Sequence, residues 1–221
     1  MSMGLLKVIL KEVRDKARCD SCPLKDKSKP LIFEPDCDVR VMVVTYGPNR
    51  TEEPEIIESL VNHPTFTYLS ALFGGNFRPT ENATAYWSHL RKCFIDVVDK
   101  NERGKIDRQA TEICCKEYLI DEITAVQPEL ILAVGDRVVK FLWEISEDER
   151  LKGNIKGIFM SQKNEMIRNV ELKKIELITN VAVVPHPSGR NRFFMNFSSK
   201  EKKEAVKILN NIKDNIVKLI S

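Results

Sequence analysis

Apolar positions recur along the chain with two different periods. Leu6, Ile9, Val13 and Ala17 fall at helical spacing, with Lys7, Lys11, Glu12 and Arg14 between them, so residues 1–18 are expected to form an amphipathic helix. Residues 39–45 (VRVMVVT) are instead a short apolar, β-branched run, the pattern of a strand buried on both faces. The run leads into Tyr46-Gly47-Pro48-Asn49, a turn signal. A helical pattern over 55–61 is cut by Asn62-His63-Pro64, and a second helical piece over 67–73 is closed by Gly74-Gly75. Residues 84–90 (TAYWSHL) are expected to be a strand, and 107–125 a helix with Ile113, Leu119, Ile120 and Ile123 as its apolar positions. Residues 130–134 (LILAV) are the clearest buried strand. Gly135 ends it, and Asp136 is placed as the cap of a helix over 137–145. Residues 147–157 suggest a charged surface excursion. Residues 175–178 and 181–184 are strand-like, parted by Thr179-Asn180, and Pro185-His186-Pro187-Ser188-Gly189 breaks regular structure. A long helix over 200–220 carries Ala205, Ile208, Leu209, Ile212, Ile216 and Leu219 on one face, with Ser198-Ser199 as a plausible N-cap.

Strands separated by helices indicate an α/β fold with a mainly parallel central sheet. No repeat, low-complexity tract or linker interrupts it, so residues 1–221 are expected to form one domain. Ligands of open parallel sheets bind at the carboxyl ends of the strands. The turn at Tyr46, His89 at the end of the second strand and His186 after the last all fall there.

A chain of 221 residues with 43% hydrophobic content can bury a full core. Its net charge of +3 does not mark a nucleic-acid binder, so any DNA surface has to be a local patch. Neither a secretory apolar segment nor a membrane-length stretch is present, and the protein is expected to be cytosolic. In that compartment six cysteines are expected to be ligands or buried thiols rather than disulfides. Cys19 and Cys22 form a C-x-x-C pair, Cys93 follows a strand, Cys114 and Cys115 sit inside a helix, and Cys37 stands alone. These thiols suit a [4Fe–4S] cluster or zinc, and some suit plain burial; spacing does not decide.

Six segments taken in order carry a resemblance. They are CDSCPL (19–24), VMVVTYGPN (41–49), YWSHLRKC (86–93), CKEYL (115–119), PELILAVG (128–135) and PHPSGRN (185–191). Together the chain resembles the uracil-DNA glycosylase superfamily, and within it the iron–sulfur enzymes called family 4 and the related family 5. The resemblance implies a three-layer α/β/α fold around a four-stranded sheet. It also implies a DNA-repair glycosylase that removes a deaminated base, uracil by default, flipped out of damaged DNA. It implies a [4Fe–4S] cluster held by Cys19, Cys22, Cys93 and Cys115. Cys115 is chosen over Cys114 because Cys115-Lys116-Glu117-Tyr118-Leu119 matches the family's C-x-x-Tyr-Leu; Cys114 becomes a packed neighbour. His186 is implied as the donor to the leaving base. Ser188, Gly189, Arg190, Asn191 and Arg192 are expected to contact DNA, and Phe193 or Phe194 could wedge into the stack.

Two departures bear on activity. Tyr46 stands where family 4 has a glutamate, and Gly47 where other branches have Asp or Asn. This leaves Tyr46 and Asn49 as the catalytic candidates of that turn, although tyrosine is a poor base. His89 stands where an asparagine reads uracil, and Phe66 aligns with the ring that stacks on it, so His89, Gly47 and Phe66 are the substrate-binding candidates. The alternative is a DNA-binding homologue that keeps fold and cluster without excising a base. The expected partner is DNA containing a damaged base, with no membrane, bound by a monomer.

Overall fold

The computed structural model of the chain describes residues 3–48, 63–96, 99–163, 165–187 and 197–221. Helix α1 (Met3–Asp15) buries Leu6, Ile9, Leu10 and Val13, the stripe its periodicity predicts. After the Cys19–Cys22 turn come β1 (Val41–Thr45), α2 (Pro64–Leu72) and β2 (Tyr86–His89). Helix α3 (Lys100–Cys114) is capped by the Asp99 carboxylate, which accepts from the amides of Asn101 and Glu102. It runs on through a π turn (Cys115–Leu119) into α4 (Ile120–Val126), a longer rod than the 107–125 expected from the pattern. Then follow β3 (Leu130–Val134), α5 (Asp136–Ser146), α6 (Ile155–Ser161), β4 (Ile167–Leu172), β5 (Leu177–Val184) and α7 (Ser199–Ile220). Ser198 and Glu201 close a reciprocal capping box on α7.

Among the described residues the sheet has five strands in the order β2-β1-β3-β5-β4. The first four are parallel, and β4 runs antiparallel along the edge of β5. The expected four-stranded parallel sheet is therefore present with one strand more. β4 escaped the pattern because an irregularity between Ile167 and Val170, with Asn169 at φ 51°, breaks the alternation of buried and exposed positions. The two strand pieces expected at 175–178 and 181–184 are one strand. Thr179 and Asn180 do not turn, because the Thr179 hydroxyl donates to Pro128 O at 2.7 Å and the Asn180 amide donates to Glu129 O at 3.0 Å. Asp136 is the first residue of α5 rather than its cap. The N-cap is Gly135, at φ 96° and ψ 162°, which contributes no side-chain hydrogen bond. The helical pattern at 55–61 lies outside the described residues.

Alternate strand residues divide the core in two. Met42, Val44, Ile131, Ala133, Val181 and Val183 face α1, α3, α4 and α5, whereas Val41, Val43, Leu130, Leu132, Ala182 and Val184 face α2 and α7. This is an α/β/α arrangement of three layers. Register pairs Thr45 with His89, Val44 with Ala133, and Val134 with Val184, so these residues mark one carboxyl edge. Strand order reverses between β1 and β3, the position at which such sheets open a crevice.

Candidate active site

A cavity of about 310 Å³ opens at that crevice. Its walls are the β1 turn (Tyr46, Gly47, Pro48), the β3–α5 turn (Val134 to Arg137) and His186 from the segment after β5. Arg91, Arg103 and Asp107 close it from the side of α3. The volume lies at the small end of the ~300–1,000 Å³ range of ligand sites, a size for one base rather than a large cofactor. Two glycines shape it. Gly135 has a positive φ of 96°, and a Cβ built there would stand 3.4 Å from His186 Cβ, so the two turns lie against each other. A Cβ on Gly47 would meet Arg91 Nη2 at 2.8 Å and Arg91 O at 3.3 Å, so this turn sits directly on Arg91.

Tyr46 lines the cavity, but its hydroxyl is engaged. It donates to Asp107 Oδ2 at 2.5 Å, while Arg91 Nε donates to Asp107 Oδ1 at 2.8 Å. Arg91 is held further by a hydrogen bond from Nη1 to the Cys93 carbonyl. The guanidinium carbons of Arg137 and Arg91 stand 5.6 and 5.9 Å from the Tyr46 ring centroid. Burial and the contact with Asp107 raise the phenol pKa, so Tyr46 is a positioned ring and a hydrogen-bond donor, not a base. Arg91, Asp107, Arg103, Asp136 and Arg137 do not stand out as site residues in the sequence. The only signal is Gly135-Asp136-Arg137 following a buried strand, where Asp136 reads as a cap.

All three histidines of the chain gather near this edge. His186 is held below its ordinary pKa by burial and by the nearby His63, with Asp136 opposing, so its imidazole is neutral at pH 7. His63, unassigned from the sequence, caps α2: its Nδ1 accepts from the Thr65 amide at 3.3 Å. His89, 1% exposed, lies behind the cavity wall instead of on it. Its ring meets Trp87 edge-on at 5.5 Å and Phe33 at 6.2 Å. Trp87 Nε1 donates to Thr45 Oγ1 at 3.1 Å, which leaves the hydroxyl one proton to give. The Thr45 hydroxyl donates to Ser88 O at 3.5 Å, and His89 Nδ1 lies 2.5 Å from the same hydroxyl oxygen. His89 Nε2 is buried without a hydrogen-bond partner among the described residues. Phe66 also sits off the cavity, edge-on to Phe77 at 5.4 Å, in the same chain of rings as Trp87.

A second cluster lies under α1. Cys19, Cys22, Cys93 and Cys114 line one small chamber together with Lys16, Lys25, Lys92 and Tyr118. Cys115 does not reach it: its thiol contacts Leu90 O at 3.7 Å and faces a different cavity, beside α5. The chamber thus brings Cys114, and not Cys115, beside Cys19, Cys22 and Cys93. The Tyr118 hydroxyl accepts from the Arg18 amide at 2.8 Å and stands 3.6 Å from Cys19 Sγ. Contact with Cys22, the Tyr118 hydroxyl and two lysines draws the Cys19 pKa down, while burial raises Cys93 and Cys114. Cys37 is remote, its thiol near Ala83 O at 3.3 Å. No three His, Cys, Asp or Glu side chains among the described residues converge to hold one metal ion. A four-iron cluster makes a different demand, since each thiolate binds its own iron, and four thiols from three segments around one chamber fit that donor set in kind.

Lys92 joins this chamber to β2. Its Nζ donates to Ser88 Oγ at 2.5 Å, to His89 O at 2.8 Å and to Glu122 Oε2 at 2.7 Å, and Ser88 Oγ donates to the same carboxylate at 2.6 Å. Both ions are buried; Glu122 Oε2 takes both hydrogen bonds, while Oε1 is buried without a partner among the described residues.

Asn49 and residues 188–192, expected to act in catalysis and DNA contact, lie outside the described residues. No helix among the described residues is long and apolar enough to cross a membrane. No curated protein matches the chain. A family model, described as the Uracil DNA glycosylase superfamily, matches residues 33–210; this span contains β1 through β5 and His186 but begins after Cys19 and Cys22. With the match covering most of its length and the cavity at the carboxyl edge of its sheet, the chain belongs to the uracil-DNA glycosylase superfamily.

Proposed function

We propose that this protein is a DNA glycosylase that hydrolyses the N-glycosidic bond of a deaminated base, uracil by default, turned out of DNA into the 310 Å³ cavity. The observation that carries this reading is the meeting of His186 with the β1 turn and the β3–α5 turn around a base-sized space. Breaking the bond leaves negative charge on the base and positive character on the sugar. His186, half-buried and neutral, offers an N–H toward a carbonyl oxygen of the base as that charge grows. Arg103 and Arg137 hold the phosphates on either side of the extruded nucleotide. Asp136, exposed in the same cavity, supplies the carboxylate that the β1 turn lacks and orients the attacking water. Tyr46 gives the base or sugar a flat wall, held by Asp107.

The same reading assigns a [4Fe–4S] cluster to Cys19, Cys22, Cys93 and Cys114. When bound it would act as a structural staple between α1, the end of β2 and α3, with no part in bond cleavage. One observation favours the inactive DNA-binding alternative: Tyr46 is committed to Asp107, and residues 46–48 carry no other polar side chain to place water.

The deciding experiment incubates the protein with oligonucleotides carrying uracil, hypoxanthine or xanthine and reveals abasic sites with alkali. We expect release of at least one base, and a fall of about 10²–10³ in turnover for His186→Ala, the usual effect of removing one transition-state donor. Binding of DNA with no base released would leave the inactive homologue as the answer. Full turnover in His186→Ala would remove the histidine from its role.

A further inference from the structure

We propose that the cleft between α3 and α5 is a track for single-stranded DNA, carrying the strand away from the base cavity. This extends the glycosylase reading and borrows from it only the starting point of the strand. Tyr46 and Arg137 stand at a junction, for they line the base cavity and two further cavities that open from it. One, of about 520 Å³, runs between the π turn and α5. Its floor is apolar (Leu90, Ile120, Phe141, Ile145), and its rim carries Arg108, Lys116, Arg137, Lys140 and Lys174. The other, of about 600 Å³, follows the first half of α3 past Lys100, Lys105 and Arg108.

Cations therefore form two facing rows, one along α3 and one along α5, although the whole chain carries only +3. The acidic residues in the cleft cancel only part of this charge. Asp107 is taken by Tyr46 and Arg91, and Glu144 pairs with Lys140 at 3.7 Å, which leaves Glu112. Arg108, Arg137, Lys174, Lys100 and Lys105 form no ion pair among the described residues. An apolar floor under a cationic rim is what a single strand needs: bases lie on the floor while phosphates meet the rim.

The test is fluorescence anisotropy with a labelled, lesion-free single-stranded oligonucleotide, titrated over a range of salt. The variants are Lys140→Glu/Lys174→Glu, both exposed side chains, and Lys207→Glu on the outer side of α7 as a control for charge reversal away from the cleft. We expect at least tenfold weaker binding for the double variant. Its salt dependence should also be shallower, by about 0.7 in log–log slope for each phosphate that the variant no longer neutralises. Lys207→Glu should bind like the unaltered protein. Equal affinity of the double variant and the unaltered protein overturns the track, as does an equal loss in Lys207→Glu or no binding of single strands at all. Because the probe carries no lesion, binding along this cleft together with no base released from the lesion-bearing oligonucleotides refutes the glycosylase reading alone.

Discussion

Cys114 and Cys115 are adjacent, yet one faces the thiol chamber and the other the α3–α5 cleft. The π turn that begins at Cys115 has i→i+5 hydrogen bonds and so takes more residues per turn than an α-helix. The residue stacked over Tyr118 is therefore Cys114, four back, and not Cys115, three back. If the chamber holds an iron–sulfur cluster, Cys114→Ser should lose iron, acid-labile sulfide and visible absorbance, while Cys115→Ser retains them. The reverse pattern would restore Cys115 as the ligand. The C-x-x-C pair, Cys93 and His186 are legible in the sequence because each stands beside a strand end or a turn. The choice between neighbouring thiols is not, since nothing in the residue types announces a widened helical turn. Asp107 and Arg91 are invisible for another reason: their meaning lies in a contact with Tyr46 across many residues, and only the folded chain supplies it.

At the scale of elements, α7 is fully legible. Its apolar stripe and its Ser198 cap are both encoded locally, and the capping box follows from Glu201 three residues on. Ser198→Ala should lower stability by about 1 kcal/mol, the usual cost of losing an N-cap hydroxyl, read as a shift in the urea midpoint. An unchanged midpoint would mean that water replaces the cap. β4 shows the opposite case, since its irregularity erases the period that would have revealed it. Helix α5 starts one residue earlier than its pattern indicates. The Gly135 backbone, not an Asp136 side chain, makes the entry, and this leaves the carboxylate facing the cavity.

For the whole molecule, burial or neighbours hold His63, His89 and His186 all below the ordinary histidine value of 6.5. Above that pH both folded and unfolded chains keep the rings neutral. Below it the unfolded chain takes up protons that the folded one refuses, so acid favours unfolding. His89, the most buried, contributes up to about 1.4 kcal/mol for each pH unit until its ring is protonated in the folded state. The thermal midpoint should therefore fall between about pH 7 and about pH 5, and fall less in His89→Gln. A midpoint insensitive to acid would contradict this assignment. β2 carries one more implication. It is a partition wall between two unlike rooms: Trp87 and His89 furnish the aromatic side, while Ser88 and the lysine beyond it serve the thiol side. One amino acid added or lost within the wall would swap the furnishings, handing imidazole to the thiols and hydroxyl to the rings. The distance from Tyr86 to Cys93 is therefore a fixed dimension of the molecule.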